Sequence, residues 1–369
     1  MNKIIKEQFK NFIGTNYEIG VQIGKWVEQN PELLKKSILP RNTFPKNKLD
    51  KIIQMIDTYC DGVNEEIKGF SDYLNISTEQ VIFYAMTYLE RGCSLFAISK
   101  NQTQEKKTYL ARNYDFNDEL EEMCFSYTEV KGKYKYIGAN LNLFGRCDGM
   151  NEHGLAIGMA SNGFPVGNFE GGIKPNLDGL SFWLIIRSIL ENCKTVQEAI
   201  ETVKVMPVAF NLSLVLADRN DTIGLLQSID GIIEYQEVES ESEQNCLACT
   251  NHSVLPNLKK RQKNHIENSE IRYNNINYFL QKKEISKQDI KGILSTAYPN
   301  GLCCHFYQEY FGTLRSMIFN TTDKNILISF GSPQVNKWIE FSVEPLAIDT
   351  TDIILPQKKL PNDFYKLTT

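Results

Sequence analysis

Strand-like runs in this chain come in groups rather than singly between helices, and that order disfavours the regularly alternating α/β architectures. Residues 1–92 read as mainly helical. Ile52, Met55, Ile56 and Cys60 recur at helical spacing, and residues 77–90 open on Ser77-Thr78-Glu79-Gln80, a helix-start signal ahead of an apolar face. The character then changes. Residues 107–114, 125–130 and 134–139 look like strands, with Gly132 and Gly145 at turn positions, and 155–159 is a short apolar strand entered through Glu152-His153-Gly154. Residues 181–190 read as a buried helix and 195–205 as another, ended by Pro207. Strands follow at 212–217, 223–227 and 232–236, helices at 271–279 and 287–295, and strands at 316–319, 326–330 and 339–343. Residues 237–245 read as the least ordered stretch. The result is an α+β order, helix layers against antiparallel sheets, and not a Rossmann or TIM arrangement.

With 369 residues, 42% of them apolar, the chain can bury a core that needs no disulfide or metal. A net charge of −5 argues against a nucleic-acid partner. The basic run Lys259-Lys260-Arg261 has the acidic stretch 237–243 nearby and reads as solvated surface. No stretch of eighteen apolar residues suggests a membrane span, and residues 1–7 lack the apolar region of a secretory signal, so a cytoplasmic protein is expected. Nine cysteines, an odd number, are then mostly free thiols, and most free thiols are small buried hydrophobes. The question is which of them differs.

Cys93 stands out by position. Arg91-Gly92-Cys93-Ser94 lies where the helical first quarter meets the strand-rich remainder. Core packing is the plain reading of any one such thiol. Gly before Cys, however, suits an N-to-S acyl shift, in which the thiol attacks the preceding carbonyl and glycine tolerates the conformation this needs. About twenty residues on, Arg112-Asn113-Tyr114-Asp115-Phe116 closes a strand with two charges flanking an aromatic residue. Arg112 and Asp115 read either as a surface ion pair or as groups holding the thiol and its amine. Thr250-Asn251-His252 lies far downstream; its asparagine is either a turn residue or an amide donor for an oxyanion.

Taken in order, these motifs resemble the acyl-coenzyme A:6-aminopenicillanate acyltransferase family, grouped with penicillin V acylases and bile-salt hydrolases among the N-terminal-nucleophile (Ntn) hydrolases. The most specific likeness is Asp148-Gly149-Met150-Asn151-Glu152-His153-Gly154-Leu155-Ala156, similar to the family's DGxNExGLA hairpin. Residues 14–24, Gly92-Cys93, Arg187 with Leu190, Thr195-Val196-Gln197-Glu198-Ala199, Asn211 with Leu216-Ala217-Asp218, Thr250-Asn251-His252, and Cys303-Cys304-His305 with 313–318 add to it. The resemblance implies a four-layer αββα sandwich. It divides the chain into residues 1–92, a helical pro-segment or small subunit, and 93–369, the catalytic domain. It implies cleavage between Gly92 and Cys93, a Cys93 thiol nucleophile oriented by Asp115, Arg112 in contact with the nucleophile region, and Asn251 in an oxyanion hole. Asn113, Tyr114, His252 and Arg315 are accessory candidates. Neither metal nor cofactor is expected. The partner expected is a small N-acyl substrate, with an acyl-CoA or amine acceptor where transfer replaces hydrolysis; monomer and homo-oligomer both stay open. Gln227 stands where an acidic residue is usual, and no arginine lies beside Cys303-Cys304-His305, Arg315 being the nearest.

Other readings compete. Cys246 and Cys249 with Cys303, Cys304 and His305 are a candidate zinc set. An uncut thiol hydrolase would need His153, His252 or His305 as its base. A non-catalytic ligand-binding relative of the same fold is the third. Tyr84 and Tyr88, near the junction, read as core, as do Phe164 and Trp183, which could instead line an acyl pocket; His153 reads as a turn residue.

Overall fold

The computed structural model describes residues 2–85, 92–163, 178–209, 211–239, 242–262 and 264–368. It begins with strand β1 (Lys3–Gly14), then helices α1 (Asn16–Glu28), α2 (Pro31–Ser37), α3 (Lys46–Tyr59) and α4 (Val63–Leu74). Strands β2 (Gly92–Ile98), β3 (Tyr109–Phe116), β4 (Cys124–Val130), β5 (Tyr136–Leu141), β6 (Gly145–Arg146), β7 (Asp148–Asn151) and β8 (Ala156–Ser161) come next. Helices α5 (Phe182–Asn192) and α6 (Val196–Lys204) precede β9 (Leu212–Ala217), β10 (Ile223–Ile229), β11 (Ile232–Val238) and β12 (Cys246–Cys249). After α7 (Pro256–Arg261), β13 (His265–Ile266), α8 (Glu267–Leu280) and α9 (Lys287–Ser295), the chain ends in strands. These are β14 (His305–Phe306), β15 (Phe311–Asn320), β16 (Asn325–Phe330), β17 (Trp338–Ser342), β18 (Thr350–Leu355) and β19 (Leu367–Thr368).

Two sheets form the middle layers. The larger runs β11-β10-β9-β8-β7-β5-β4-β1-β18, with β6 on β5; the smaller runs β12-β2-β3-β15-β16-β17, with β14 on β15. They stack through β2 and β3 against β8 and β9. Helices α5 and α6 cover the outer face of the larger sheet, and α8 and α9 that of the smaller. This is an αββα sandwich of α+β class, as expected. Covered on both faces, β2 and β3 are almost wholly buried: β2 is a near-continuous apolar run, whereas β3 carries Arg112, Asn113 and Asp115 into the interior. At Gly158 on β8, an added Cβ would lie 2.7 Å from the end of the Leu95 side chain and 3.4 Å from Arg112, so the sheets approach closely there and a larger residue would have to displace Leu95.

Three expectations need correction. The first quarter is not helical from its start: β1 lies inside the larger sheet, parallel to β4 and antiparallel to β18. Its pattern hides the strand because Glu7 fills an inward position beside Phe9, compensated by Arg315, whose Nη2 lies 2.7 Å from its carboxylate. Strand β18, its other neighbour, was missed as well. Residues 77–90 do not make one helix. The Ser77 capping box forms with Gln80, but only short 3-10 turns follow at Thr78–Gln80 and Ile82–Ala85, because Val81 goes extended to bridge Ile38; residues 86–90, including Tyr88, lie outside the described residues. Gly145 is a strand residue pressed on Trp183, which is core.

Residues 1–85 are tied to the rest by buried charge. Arg187 on α5 bonds both oxygens of Glu66 on α4, at 2.8 and 2.6 Å, and Glu191 at 2.8 Å. Arg315 on β15 joins Glu7 to Glu121. Among the described residues no helix is long and apolar enough to cross a membrane.

Candidate active site

Cys93 is the second residue of β2. Across the β2–β3 pair it faces Tyr114, while Gly92 faces Asp115 and Leu95 faces Arg112. Directly opposed residues project to one face, so Cys93, Leu95, Arg112 and Tyr114 point between the sheets. Ser94 and Asn113 point toward the helices, where Asn113 donates to Leu294 O at 3.0 Å and accepts from Ser316 at 2.7 Å. Asn113 is therefore a brace between β3, β15 and α9, away from the thiol.

The Cys93 thiol is fully buried, and Arg112 Nη2 lies 3.2 Å from Sγ. The same guanidinium donates to Cys147 O at 2.9 Å, to Met159 O at 2.8 Å and to the Asp148 carboxylate. Its position is thus over-determined by the hairpin that carries the DGxNExGLA motif. Burial pushes the Cys93 thiol up, the Arg112 charge pulls it down, and the Asp115 charge pushes it up again.

Gly92 has an ordinary strand pairing, so the strain expected of its backbone is not where its constraint lies. An added Cβ would sit 1.9 Å from the Phe311 ring, so space selects the glycine.

Asp115, opposite Gly92, is fully buried. Its Oδ1 accepts from Thr313 Oγ1 at 2.6 Å, and Thr313 Oγ1 itself accepts from Cys304 N–H at 2.9 Å, which turns the hydroxyl proton toward Asp115. Oδ2 has no hydrogen-bond partner among the described residues. Burial lifts this carboxyl to about 6, against the pull of Arg272, Thr313 and Arg112. The folded value lies above the unfolded one, so the stability associated with this group is present below pH 4 and is lost as pH rises through 6. In an uncut Cys93→Ala background, Asp115→Asn is therefore expected to be more stable than its parent above pH 6, the advantage vanishing towards pH 4. Denaturant unfolding at pH 4, 5, 6 and 7 checks this; a difference independent of pH would refute it.

Asn251 follows β12 in a segment held from both sides. Its backbone N–H donates to Ser269 at 2.8 Å, its Nδ2 donates to Ser161 O at 3.0 Å, and its Oδ1 accepts from Cys93 N–H at 3.3 Å and from Arg272 at 2.7 Å. Gln227 explains the departure at that position. Its Oε1 accepts from Val254 and Leu255 N–H at 2.8 and 2.9 Å, and its Nε2 donates to Ser213 at 2.7 Å and His252 O at 3.3 Å. Bracing this segment takes a donor as well as an acceptor, which a carboxylate cannot supply.

Arg272 on α8 is the residue that sequence reasoning missed. It is fully buried and donates to Cys93 O at 2.7 Å, Ser94 Oγ at 2.9 Å, Asn251 Oδ1 at 2.7 Å and Asn268 Oδ1 at 2.7 Å. A signal existed: Arg272 shares helical spacing with Ile276, Phe279 and Leu280, all on the buried face. Thr313 was also missed as a partner of Asp115.

The remaining candidates sit elsewhere. Arg315 stacks over Tyr114 and serves Glu7 and Glu121, not the thiol. Tyr114 carries Arg112 on its ring and donates its hydroxyl to Glu121, so it floors the site. His252 Nδ1 lies 2.8 Å from Ser269 Oγ, and burial lowers it to about 3. His153 meets Tyr134 edge-on, and His305 meets Cys303 at 3.4 Å and Ser332 at 2.8 Å. No histidine contact to Cys93 occurs among the described residues, which removes the geometric support for a Cys93–His pair. Nor does any group of three or more His, Cys, Asp or Glu side chains there come together to hold a metal ion. Phe164 lies outside the described residues.

No curated protein matches the chain in sequence. Among solved structures it is similar to an N-acylethanolamine-hydrolyzing acid amidase ortholog from Caenorhabditis elegans, with 14% identity and a TM-score of 0.44 over 62% of this chain and 93% of that one. It is similar to a variant of the conjugated bile acid hydrolase of Clostridium perfringens, with 12% identity and a TM-score of 0.48 over 73% and 99%. It is also similar to penicillin V acylase from Agrobacterium tumefaciens, with 16% identity and a TM-score of 0.44 over 68% and 86%. Residues 102–335, well over half of the sequence, match the family described as acyl-coenzyme A:6-aminopenicillanic acid acyl-transferase, and the chain belongs to that family.

Proposed function

We propose that this protein is a self-cleaving cysteine amide hydrolase or acyltransferase acting on a small N-acyl substrate, with Cys93 as nucleophile. The observation that carries the reading is the buried Cys93 thiol, held at 3.2 Å by Arg112, with its backbone N–H on Asn251 Oδ1 and Asp115 opposite the preceding glycine.

In the first reaction Cys93 Sγ attacks the Gly92 carbonyl carbon. The C–S bond forms, the C–N bond breaks, and the thiol proton ends on the Cys93 nitrogen. Water then attacks the thioester, leaving a Gly92 carboxylate, a free thiol and a new α-amine. That amine has an ordinary pKa near 8 and can take the proton of its own thiol. Asn251 Oδ1 already accepts from this nitrogen, and Asp115, whose Oδ2 has no hydrogen-bond partner among the described residues, is paired across the sheet with Gly92. The thiolate attacks the substrate amide carbonyl, Asn251 Nδ2 donates to the oxyanion, and the protonated amine leaves from a thioester acyl-enzyme. Water completes hydrolysis; a second amine completes transfer.

N-terminal sequencing of the purified protein tests the reading: a fragment beginning at Cys93 is expected, and a single uncut 42.3 kDa chain overturns it. Asn251→Ala is expected to lower kcat by about 10²–10³ with KM little changed, because the donor acts mainly on charge that develops in the transition state; equal loss in KM would contradict that role. Residues 1–92 are expected to stay seated after cleavage, because β1 lies inside the sheet and Glu7 and Glu66 are buried ion partners of Arg315 and Arg187. Both pieces should co-elute in native gel filtration and part only in denaturant; separation in native buffer would show residues 1–92 to be a leaving pro-segment.

A further inference from the structure

The chain beyond β18 has little regular structure, yet it packs on residues that themselves touch Gly92 and Cys93. Lys358 N–H donates to His305 O at 2.8 Å, Lys366 O accepts from Glu267 N–H at 2.8 Å, and Leu367 and Thr368 pair with Ile266 and His265. Between these ties Phe364 is fully buried, although Asp363 and Tyr365 on either side are exposed. A single buried ring on an exposed strap is an anchor, and what it anchors is the junction. The Phe364 ring meets Phe306 at 4.9 Å, Tyr298 at 5.0 Å and Phe311 at 4.9 Å, all edge-on. Phe311 is the ring against which Gly92 lies, and the Arg272 guanidinium covers it at 5.4 Å.

The backbone of the same residue reaches the other side of the bond. Phe364 O accepts from Asn268 Nδ2 at 2.7 Å. Asn268 Oδ1 accepts from Arg272 at 2.7 Å, and Arg272 donates to Cys93 O at 2.7 Å. One tail residue therefore bears on Gly92 through a ring and on Cys93 through a hydrogen-bond relay.

We propose that Phe364 is a positioning residue for self-cleavage, pinning Phe311 on Gly92 and aligning Arg272 on Cys93. This rests on the cleavage reading above. Phe364 takes no part in the bond changes, in which Sγ–C forms, C–N breaks and the thiol proton passes to nitrogen; it limits the motion of the carbonyl that the thiol must reach. The residue lies outside the family-matched region 102–335.

A displacement of about an ångström at reacting atoms costs up to about 10²-fold in rate, so Phe364→Ala is expected to slow cleavage between about 10- and 100-fold. The experiment is cell-free synthesis of the full chain with a chase, following loss of the 42.3 kDa precursor. Wild type is compared with Phe364→Ala, Phe364→Leu and Phe330→Leu. Phe330 is buried in the other aromatic cluster, against Phe9 and Phe125. The expected result is strong slowing in Phe364→Ala, a few-fold slowing in Phe364→Leu, and a wild-type rate in Phe330→Leu, with melting midpoints measured alongside. Should Phe364→Ala be insoluble, Phe364→Leu carries the comparison. Wild-type rates in both Phe364 variants, or equal slowing in Phe330→Leu at a matched loss of midpoint, overturn the proposal while leaving the cleavage reading intact. A wild-type chain that never cuts overturns both.

Discussion

Replacing Cys93 by alanine is expected to leave a single 42.3 kDa chain and to abolish amide turnover, the largest effect any one substitution should have here. Both reactions need the same sulfur, first as attacker of the Gly92 carbonyl and then as attacker of substrate. The substitution should also spare the fold. The thiol lies 3.2 Å from Arg112, and that guanidinium keeps Cys147 O, Met159 O and Asp148 when the sulfur is gone. Loss of cleavage with a retained melting midpoint is therefore the signature. Cys93→Ser sharpens it: a hydroxyl is the poorer nucleophile near neutral pH, so slow cutting at the same bond is expected. Intact mass against time reads both variants. Cleavage at Gly92 persisting in Cys93→Ala would end the self-processing mechanism.

Arg112→Met is expected to give the second largest effect, on stability and reactivity together. Asp148 is fully buried and loses its cation partner Arg112, and removing one partner of a buried pair typically costs about 3–5 kcal/mol. The thiol loses the Arg112 charge that opposes its burial, so its pKa rises. Arg112→Lys separates the two contributions. A lysine restores charge but cannot reach two backbone carbonyls, a carboxylate and a sulfur at once, so it should recover part of the stability and little of the thiol activation. Unfolding in the Cys93→Ala background measures the first quantity, and the pH dependence of Cys93 alkylation by iodoacetamide the second. A stability change under about 1 kcal/mol with an unmoved alkylation profile would show that Arg112 merely fills space.

Burial of polar residues explains where reading the chain in order succeeded and where it failed. Helix α9 was expected at 287–295 and is found at Lys287–Ser295; its capping box, Ser286 with Asp289, lies within four residues. Strands β9 and β16 match their apolar runs. Strand β1 does not, because its inward Glu7 is neutralised by a residue more than three hundred positions away. The 77–90 segment began as expected and then broke at Val81, whose bridge partner Ile38 lies outside the segment altogether. The same divide runs through the site. Cys93, Arg112, Asp115 and Asn251 were named from motifs, and the structure brings them together. Arg315 was named by nearness in sequence to Cys303-Cys304-His305 and turns out to serve Glu7 and Glu121.

Local chemistry therefore determined the helix starts, the strand runs, the glycine before Cys93 and the family motifs, because each depends on residues within a turn or two. Tertiary structure alone decided what each buried charge meets: Glu7 with Arg315, Glu66 with Arg187, and Arg272 with Cys93 and Asn251. A charge within the sandwich must find its counterpart or pay the full cost of desolvation. That counterpart lies across the layers, where order along the chain carries no record of it.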